Sequence, residues 1–260
     1  MPTLPDLNDP RYLHEIGWFL YHEKYERDHY GGSYDDERLA YSRLLLEEVL
    51  QLSGHDTKWL EDKTIVSIGS GCTGDLAAWP AAAKVSIDPL LRIYQQLGML
   101  LNDEENTKPT VYLSSSAEAI PLVDGTVDVV VCRNALDHMP EPQPPLNEFC
   151  RILRDDGKLF LSVDLGGEPT PDEPTVFSQE SLSTLILSKF DIVAQSSNLP
   201  AHSKGRDSSV RIVARKKSPT TPCLDKEAIL KMYIRDISQD DANAAAGVAR
   251  PARPGTSKTP

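Results

Sequence analysis

The stretch IVSIGSGCTGDL, residues 65–76, decides the fold class of this chain. A β-branched run leads directly into three glycines, Gly69, Gly71 and Gly74, with the spacing G-x-G-x-x-G. An alanine-rich segment follows and predicts a helix over residues 74–83. The pattern therefore predicts a strand, a tight turn and a helix. In such a turn the missing side chains let the backbone approach a ligand closely, and free N–H groups face a polar or anionic group of a cofactor.

An acidic residue ends the next apolar run. Asp88 closes the predicted strand 84–88 and lies about 20 residues after the first glycine, where a carboxylate can bind both hydroxyls of a ribose. We therefore expect the chain to bind a cofactor that contains a nucleoside. By itself, the glycine turn fits a nicotinamide or flavin cofactor and S-adenosylmethionine equally well. Asp75, in the first turn of the predicted helix, is instead expected to complement the helix dipole.

From residue 64 onward, predicted strands alternate with predicted helices. The strands are expected at 64–68, 84–88, 110–114, 127–132, 158–164, 190–196 and 209–215, and the helices at 74–83, 89–103, 144–154 and 178–188. This alternation predicts an α/β, Rossmann-like fold with a seven-stranded, mostly parallel sheet and helices on both faces. The last two strands have no crossover helix between them and are expected to form an antiparallel hairpin at one sheet edge.

Two further regions flank this predicted sheet domain, which spans residues 61–217. Residues 1–60 are expected to form an N-terminal helical extension with a second helix over 35–52, which acts as a lid or packs as a cap on the sheet edge. Its dense aromatic residues include Tyr25 and Tyr30, which we expect to contact the substrate. Residues 218–260 are expected to form a linker, a short helix and a disordered tail.

The composition is that of a water-soluble globular protein, since 40% of the 260 residues are hydrophobic and 25% are charged. The net charge of −12 disfavours nucleic acid as a partner, because a phosphate backbone would be repelled. No apolar run is long enough to span a membrane and no secretory signal is visible, so we expect a cytoplasmic protein without a membrane partner. The four scattered cysteines are expected to be reduced thiols and indicate no zinc site.

Several motifs downstream of the glycine turn decide between the two kinds of cofactor. They are SAEAIPLVDGTVDVVV at 116–131, NALDH at 134–138, EFCRILRDDG at 148–157 and KLFLSV at 158–163. In this order they resemble the class I S-adenosylmethionine-dependent methyltransferases, in particular the small-molecule group that includes methyltransferase type 11. The resemblance covers residues 60–165 and continues more weakly to residue 217. It implies that the cofactor is S-adenosyl-L-methionine and the product S-adenosyl-L-homocysteine.

The resemblance also implies which residues bind the cofactor. In this chain they are Ser67, Gly69, Ser70, Gly71, Gly74, Asp88, Pro89, Leu90, Ala117, Glu118 and Asn134. The first two glycines would line the methionine end, Asp88 would hold the ribose hydroxyls, and Asn134 would lie near the sulfonium. The adenine would be flanked by residues 89–90 and would meet residues 117–118 at its edge.

Two positions depart from the family pattern. Ser67 stands two places before the first glycine, where family members usually carry an acidic residue, and Ser116 stands where they often carry one. Both departures remove negative charge near the cofactor, so they bear on its affinity rather than on the fold.

The segment 134–138 leaves the fourth predicted strand at the carboxyl edge of the sheet, where parallel sheets bind their ligands. If the acceptor is a hydroxyl, a base must remove its proton, and His138 with Asp137 is the expected catalytic pair. His138 is also expected to contact the substrate. The alternative to these roles is that His138 only packs or forms a hydrogen bond within the loop. We expect methyl transfer to a small-molecule acceptor, most readily at oxygen, without a metal ion.

Two other classes of function stay open at the level of sequence. An NAD(P)-dependent oxidoreductase would use the same glycine turn. A non-catalytic S-adenosylmethionine-binding regulatory subunit would use the same cofactor site. The sequence specifies neither the acceptor nor the oligomeric state.

Overall fold

The structure is a computed structural model that describes residues 9–30, 34–100 and 108–217. For residues 10, 22–30, 34 and 35 it describes the backbone alone. The expected linker, short helix and tail at 218–260 therefore lie outside the described residues, as do residues 1–8 of the expected extension.

A seven-stranded sheet forms the centre of the described chain. Its strands are β1 (Thr64–Ile68), β2 (Ala83–Asp88), β3 (Thr110–Ser114), β4 (Val127–Arg133), β5 (Leu153–Leu165), β6 (Phe190–Leu199) and β7 (Ser208–Lys216). They lie in the order β3-β2-β1-β4-β5-β7-β6. Strands β1 to β5 are parallel, and β7 pairs antiparallel with both β5 and β6. The predicted Rossmann-like fold and the predicted antiparallel hairpin are both confirmed.

Helices cover both faces of this sheet. They are α1 (Pro10–Tyr30), α2 (Tyr34–Ser53), a short 3₁₀ helix (Thr57–Leu60), α3 (Leu91–Gln96), α4 (Gln143–Ile152) and α5 (Gln179–Leu187). Phe149 of α4 and Leu182 of α5 share a core with Val66 on one face, whereas Val49 of α2 shares a core with Ile65 on the other. Neighbouring residues of β1 thus point to opposite layers, as the pleat requires. None of the described helices is long and apolar enough to cross a bilayer.

The predicted helix over residues 74–83 is wrong. Residues 75–78 form turns, held by bonds from an N–H to the carbonyl three residues earlier, such as Ala77 to Gly74 at 2.8 Å. Pro80 explains the interruption, because proline has no N–H to donate and disfavours helical backbone at the residue before it. The chain therefore passes from the glycine turn to β2 through turns instead of a helix.

The predicted helix over residues 89–103 is shorter than expected, since α3 ends at Gln96. Gly98 adopts a φ of +70°, and the N–H of Met99 reaches back to the carbonyl of Tyr94 at 2.8 Å. A glycine in the left-handed region with such a bond is a common way to terminate a helix.

Candidate functional site

Two adjoining cavities open at the carboxyl ends of the central strands. Their volumes are about 310 Å³ and about 850 Å³. The smaller cavity lies against the ends of β1, β2 and β4, and the larger lies between the glycine turn, α1 and α2. The two cavities share part of their lining, which we call the junction, and its residues are Glu15, Gly69, Asn134, His138 and Asp172.

The glycine turn separates α1 from the loop that follows β4. Gly69 and Gly71 have φ values of +67° and +54°, which L side chains rarely adopt. A Cβ on Gly69 would lie 2.3 Å from the Cβ of Ala135, and a Cβ on Gly71 would lie 2.7 Å from the ring of Phe19. Both the backbone conformation and the packing on each side therefore require glycine at these two positions.

Asp88 ends β2 and lines the smaller cavity. Its Oδ2 accepts a hydrogen bond from the N–H of Gly71 at 3.0 Å, and its Oδ1 accepts one from the N–H of Leu90 at 2.8 Å. A carboxylate has about four lone-pair sites, so the group can still accept hydrogen bonds from two ribose hydroxyls. Burial raises the pKa of Asp88 to about 6, so the carboxylate is largely ionised above neutral pH.

All four residues predicted for the adenine side meet at the smaller cavity. Its lining includes Pro89, Leu90, Ala117 and Glu118. Helix α1 adds Arg11 and Tyr12 to this lining, although neither was predicted from the sequence. Ser70, predicted for the methionine end, lines the larger cavity together with Gly71.

Two residues predicted to bind the cofactor, Ser67 and Gly74, are not part of the lining of either cavity. Ser67 lies beneath the turn, and its hydroxyl donates to Asp75, which also accepts from the hydroxyl of Ser86 at 3.5 Å. Asp75 is buried, and that burial raises its pKa to about 6. The interpretation that Asp75 complements a helix dipole is therefore wrong, since turns replace the helix and hydroxyl groups enclose the carboxylate.

Glu15 brings a carboxylate from α1 into the junction, and sequence reasoning had not singled it out. It lies three residues after Tyr12 and four before Phe19, and both of these pack into the apolar cluster around Tyr94. This spacing places Glu15 on the same helical face. An acidic residue on an apolar face is the signal by which the sequence indicates it. Burial raises the pKa of Glu15 to about 7, and His138 partly opposes this rise.

His138 lies at the junction with a carboxylate behind it. Its Nε2 is 4.0 Å from Oε1 of Glu173. The other carboxylate oxygen of Glu173 accepts from Nε of Arg206 at 2.7 Å, in an ion pair whose side chains are 9% and 3% exposed. The loop after β5 and the loop before β7 therefore form the wall behind the imidazole.

Asp137 lies behind His138 and is not part of the lining of either cavity. It is only 1% exposed, and its carboxylate oxygens accept no hydrogen bond from another described residue. Burial, reinforced by the negative charge of Glu173, raises the pKa of Asp137 to about 7. Asp137 therefore does not reach a ligand in either cavity, and the catalytic role expected for it stays a prediction.

One ligand atom from each of Asp137, His138 and Glu173 lies within 4.8 Å of the other two, so the cluster is a candidate metal site. Atoms bound to one zinc ion at about 2.1 Å lie roughly 3.3 Å apart in tetrahedral geometry. Glu173 also already binds the guanidinium of Arg206. In this arrangement Glu173 serves the ion pair with Arg206, and the three groups are spaced too widely for one metal ion.

The larger cavity is bounded by α1, α2 and loops that follow the strands. Its polar and aromatic lining includes Trp18, Phe19, Glu37, Arg38, Tyr41, Arg133, Thr170 and His202. A contact of 3.0 Å between Nδ1 of His14 and Oδ2 of Asp172 joins α1 to the loop after β5. The predicted substrate residues Tyr25 and Tyr30 belong to α1, but their side chains lie outside the described residues.

Comparison with known families and relatives gives a consistent result. Residues 66–161 match a family described as a methyltransferase domain. An uncharacterized methyltransferase, YcgJ of Bacillus subtilis (strain 168), is 29% identical over 73 residues, which is 28% of this chain and 27% of that protein. Human thiol S-methyltransferase TMT1A is 23% identical over 137 residues, which is 52% of this chain and 54% of that protein. The matches thus span about a quarter to a half of these curated relatives.

Solved structures share the fold. A SAM-dependent methyltransferase from Methanosarcina mazei has a TM-score of 0.50 and 18% identity, over 60% of this chain and 93% of that one. The 1,6-didemethyltoxoflavin-N1-methyltransferase of Burkholderia thailandensis was solved with bound 1,6-didemethyltoxoflavin and S-adenosylhomocysteine. It has a TM-score of 0.50 and 15% identity, over 79% of this chain and 90% of that one. With the match over 66–161, this likeness confirms the resemblance inferred from the motifs.

Proposed function

We propose that this chain, which carries a class I S-adenosylmethionine-dependent methyltransferase domain, transfers the methyl group of S-adenosylmethionine to an oxygen atom of a small-molecule acceptor. The observation that carries the proposal is the pair of cavities that meet at Gly69, with Asp88 lining the smaller one. The nucleoside fits the smaller cavity, and the methionine part and the acceptor fit the larger. A volume of about 850 Å³ lies within the usual range of small-molecule sites.

Charge favours S-adenosylmethionine over NAD(P) at this site. Residues 75–78 form turns, so the glycine turn does not present a helix N-terminus to a pyrophosphate. The lining of the smaller cavity includes the carboxylates of Glu15, Asp88, Glu118 and Asp172. These groups repel a pyrophosphate and attract a sulfonium cation.

Methyl transfer requires an acceptor atom in line behind the methyl group, on the side opposite the sulfur. A sulfonium at the junction directs its methyl group into the larger cavity, where His138 also forms part of the wall. The O–CH₃ bond forms as the S–CH₃ bond breaks, and the electron pair of that bond stays on sulfur. His138 takes the hydroxyl proton on the ring nitrogen that does not face Glu173, and Glu173 stabilises the resulting imidazolium.

Helix α1 acts as a lid over this reaction. It contributes Tyr12 to the smaller cavity and Phe19 to the larger, and its His14 is tied to the loop after β5 through Asp172. A closed lid excludes water from the reacting atoms. We assign Tyr25 and Tyr30, on the same helix, to the acceptor side. We also assign the protein to the cytoplasm, where thiols such as those of Cys132 and Cys150 stay reduced.

Calorimetric titration with S-adenosylhomocysteine and with NADP tests the cofactor assignment. Asp88→Ala should weaken S-adenosylhomocysteine binding about 100-fold, because two hydrogen bonds to a charged group, each of about 1.5 kcal/mol, are lost. The control is Asp155→Ala, which removes a carboxylate that is 73% exposed and should leave the affinity unchanged. Asp88 also holds the glycine turn, so Asp88→Asn and thermal unfolding of each variant separate binding from folding.

Two results would overturn the cofactor assignment. One is unchanged S-adenosylhomocysteine affinity in a folded Asp88→Ala protein, and the other is tight binding of NADP without binding of S-adenosylhomocysteine. Methyl-labelled S-adenosylmethionine and a panel of phenols, alcohols, thiols and amines then test the acceptor. Label on oxygen supports the proposal, label on sulfur or nitrogen corrects the acceptor atom, and cofactor binding without turnover favours a regulatory subunit.

A further inference from the structure

Glu15 is the junction carboxylate without a hydrogen-bond or ion-pair partner among the described residues. His138 acts on it through space. The carboxylates near it differ in this respect. Asp172 pairs with His14 at 3.0 Å, and Asp88 accepts two backbone N–H groups. Glu15 therefore presents the negative charge that is most available to a ligand at the junction.

The position of the sulfur follows from the two cavities if the proposed function holds. Sulfur joins the adenosyl and methionine parts of the cofactor. With the adenosyl part against Asp88 and the methionine part against Ser70 and Gly71, the sulfur must pass through the junction. There it lies beside the residues that both cavities share, and Glu15 is the one of these whose carboxylate has no hydrogen-bond or ion-pair partner among the described residues.

We propose that Glu15 is a specificity-determining residue that distinguishes the charged donor from the neutral product. The inference rests on the proposed function. S-adenosylmethionine carries a positive charge on sulfur, and the charge is lost when the methyl group leaves, because the electron pair of the S–CH₃ bond remains on sulfur. The acceptor releases a proton in the same reaction, so charge balances. The Glu15 carboxylate attracts the donor but not the product, which favours replacement of S-adenosylhomocysteine by fresh S-adenosylmethionine.

The test compares three ligands and needs no acceptor. The dissociation constants of S-adenosylmethionine, S-adenosylhomocysteine and sinefungin are measured by calorimetry at pH 8. Glu15 is ionised at this pH, since burial raises its pKa to about 7. Sinefungin carries an ammonium group in place of the methyl sulfonium, so it reports positive charge at the same position without reacting.

Glu15→Gln removes the charge and keeps the shape of the side chain. It should weaken S-adenosylmethionine and sinefungin roughly tenfold and leave S-adenosylhomocysteine unchanged, the effect expected of one partly screened carboxylate. Glu37→Gln is the matched control, because Glu37 lines the larger cavity but not the junction. It should change the preference for donor over product by less than about twofold.

The outcomes separate this inference from the proposed function. If the unmodified protein binds neither S-adenosylmethionine nor S-adenosylhomocysteine, the proposed function fails. If both bind and Glu15→Gln weakens them equally or not at all, the inference is overturned while the function stands. Glu15→Ala is a second variant in case the glutamine variant does not fold, and it should lower the preference at least as much.

Discussion

Replacing Gly69 by alanine tests whether steric demands hold the glycine turn in place. Gly69 has a φ of +67°, and its added Cβ would lie 2.3 Å from the Cβ of Ala135. Both β-carbons are attached rigidly to backbone, so a rotation of a side chain cannot relieve the overlap. The turn or the loop after β4 must shift instead, and that shift moves the wall of both cavities.

The cost of this substitution has two parts. Left-handed backbone costs a residue with a Cβ roughly 1 kcal/mol relative to glycine. Overpacking of a buried contact adds about 1–3 kcal/mol. We therefore expect Gly69→Ala to lower the free energy of unfolding by roughly 2–4 kcal/mol and to weaken binding of S-adenosylhomocysteine.

Urea unfolding measures the two parts separately. Gly98 has a φ of +70° and nothing within 4 Å of its added Cβ, so Gly98→Ala reports the backbone cost alone. The double variant Gly69→Ala with Ala135→Gly removes the overlap and should recover most of the packing cost, less about 0.5–1 kcal/mol for the new glycine. The reasoning is refuted if Gly69→Ala costs no more than Gly98→Ala, or if Ala135→Gly deepens the loss.

Two further predictions concern buried polar groups around the site. The fold raises the pKa of Asp137 from 3.8 to about 7, so ionising this buried carboxyl lowers the stability of the unmodified protein as the pH rises. The free energy of unfolding of Asp137→Asn, relative to that of the unmodified protein, should therefore increase by roughly 2–3 kcal/mol from pH 5 to pH 8. A difference in denaturant unfolding that does not change with pH would contradict this. Ser42→Ala should cost about 1–3 kcal/mol, because the Ser42 hydroxyl accepts from the N–H of Ala78 at 2.9 Å and donates to the carbonyl of Asp75 at 2.8 Å. The control is Ser53→Ala, because the part-buried Ser53 hydroxyl donates to only one carbonyl, at 3.3 Å. Equal losses of unfolding free energy in the two variants would disprove the reasoning.

The parts of the fold that follow from local patterns could be predicted from the sequence. A β-branched run before three glycines, and an acid at the end of the next strand, placed the glycine turn and Asp88 at the same sheet edge. Alternating strands and helices predicted the parallel sheet, and the missing crossover predicted the final hairpin. Binding by the predicted cofactor residues stays a prediction, because proximity to a cavity does not measure affinity.

The features that depend on tertiary contacts could not be predicted. The helix expected after the glycine turn does not form, because Pro80 interrupts the alanine-rich segment. Helical spacing places Glu15 on the apolar face of α1, but only the packing of α1 across the carboxyl edge of the sheet brings it to the site. Glu173 and Arg206 meet behind His138 from two irregular loops, and no sequence period links such loops.

The position of β7 in the sheet has a consequence for folding of the chain during its synthesis on the ribosome. Residues Ser208–Lys216 leave the exit tunnel after β6, yet they fill the gap between β5 and β6. Until they emerge, the nascent sheet exposes an open edge on β5 and a lone β6 ribbon, both able to recruit other growing chains. A chain that ends just before residue 208 would keep both edges unpaired, whereas the nine residues of β7 form hydrogen bonds with β5 and with β6.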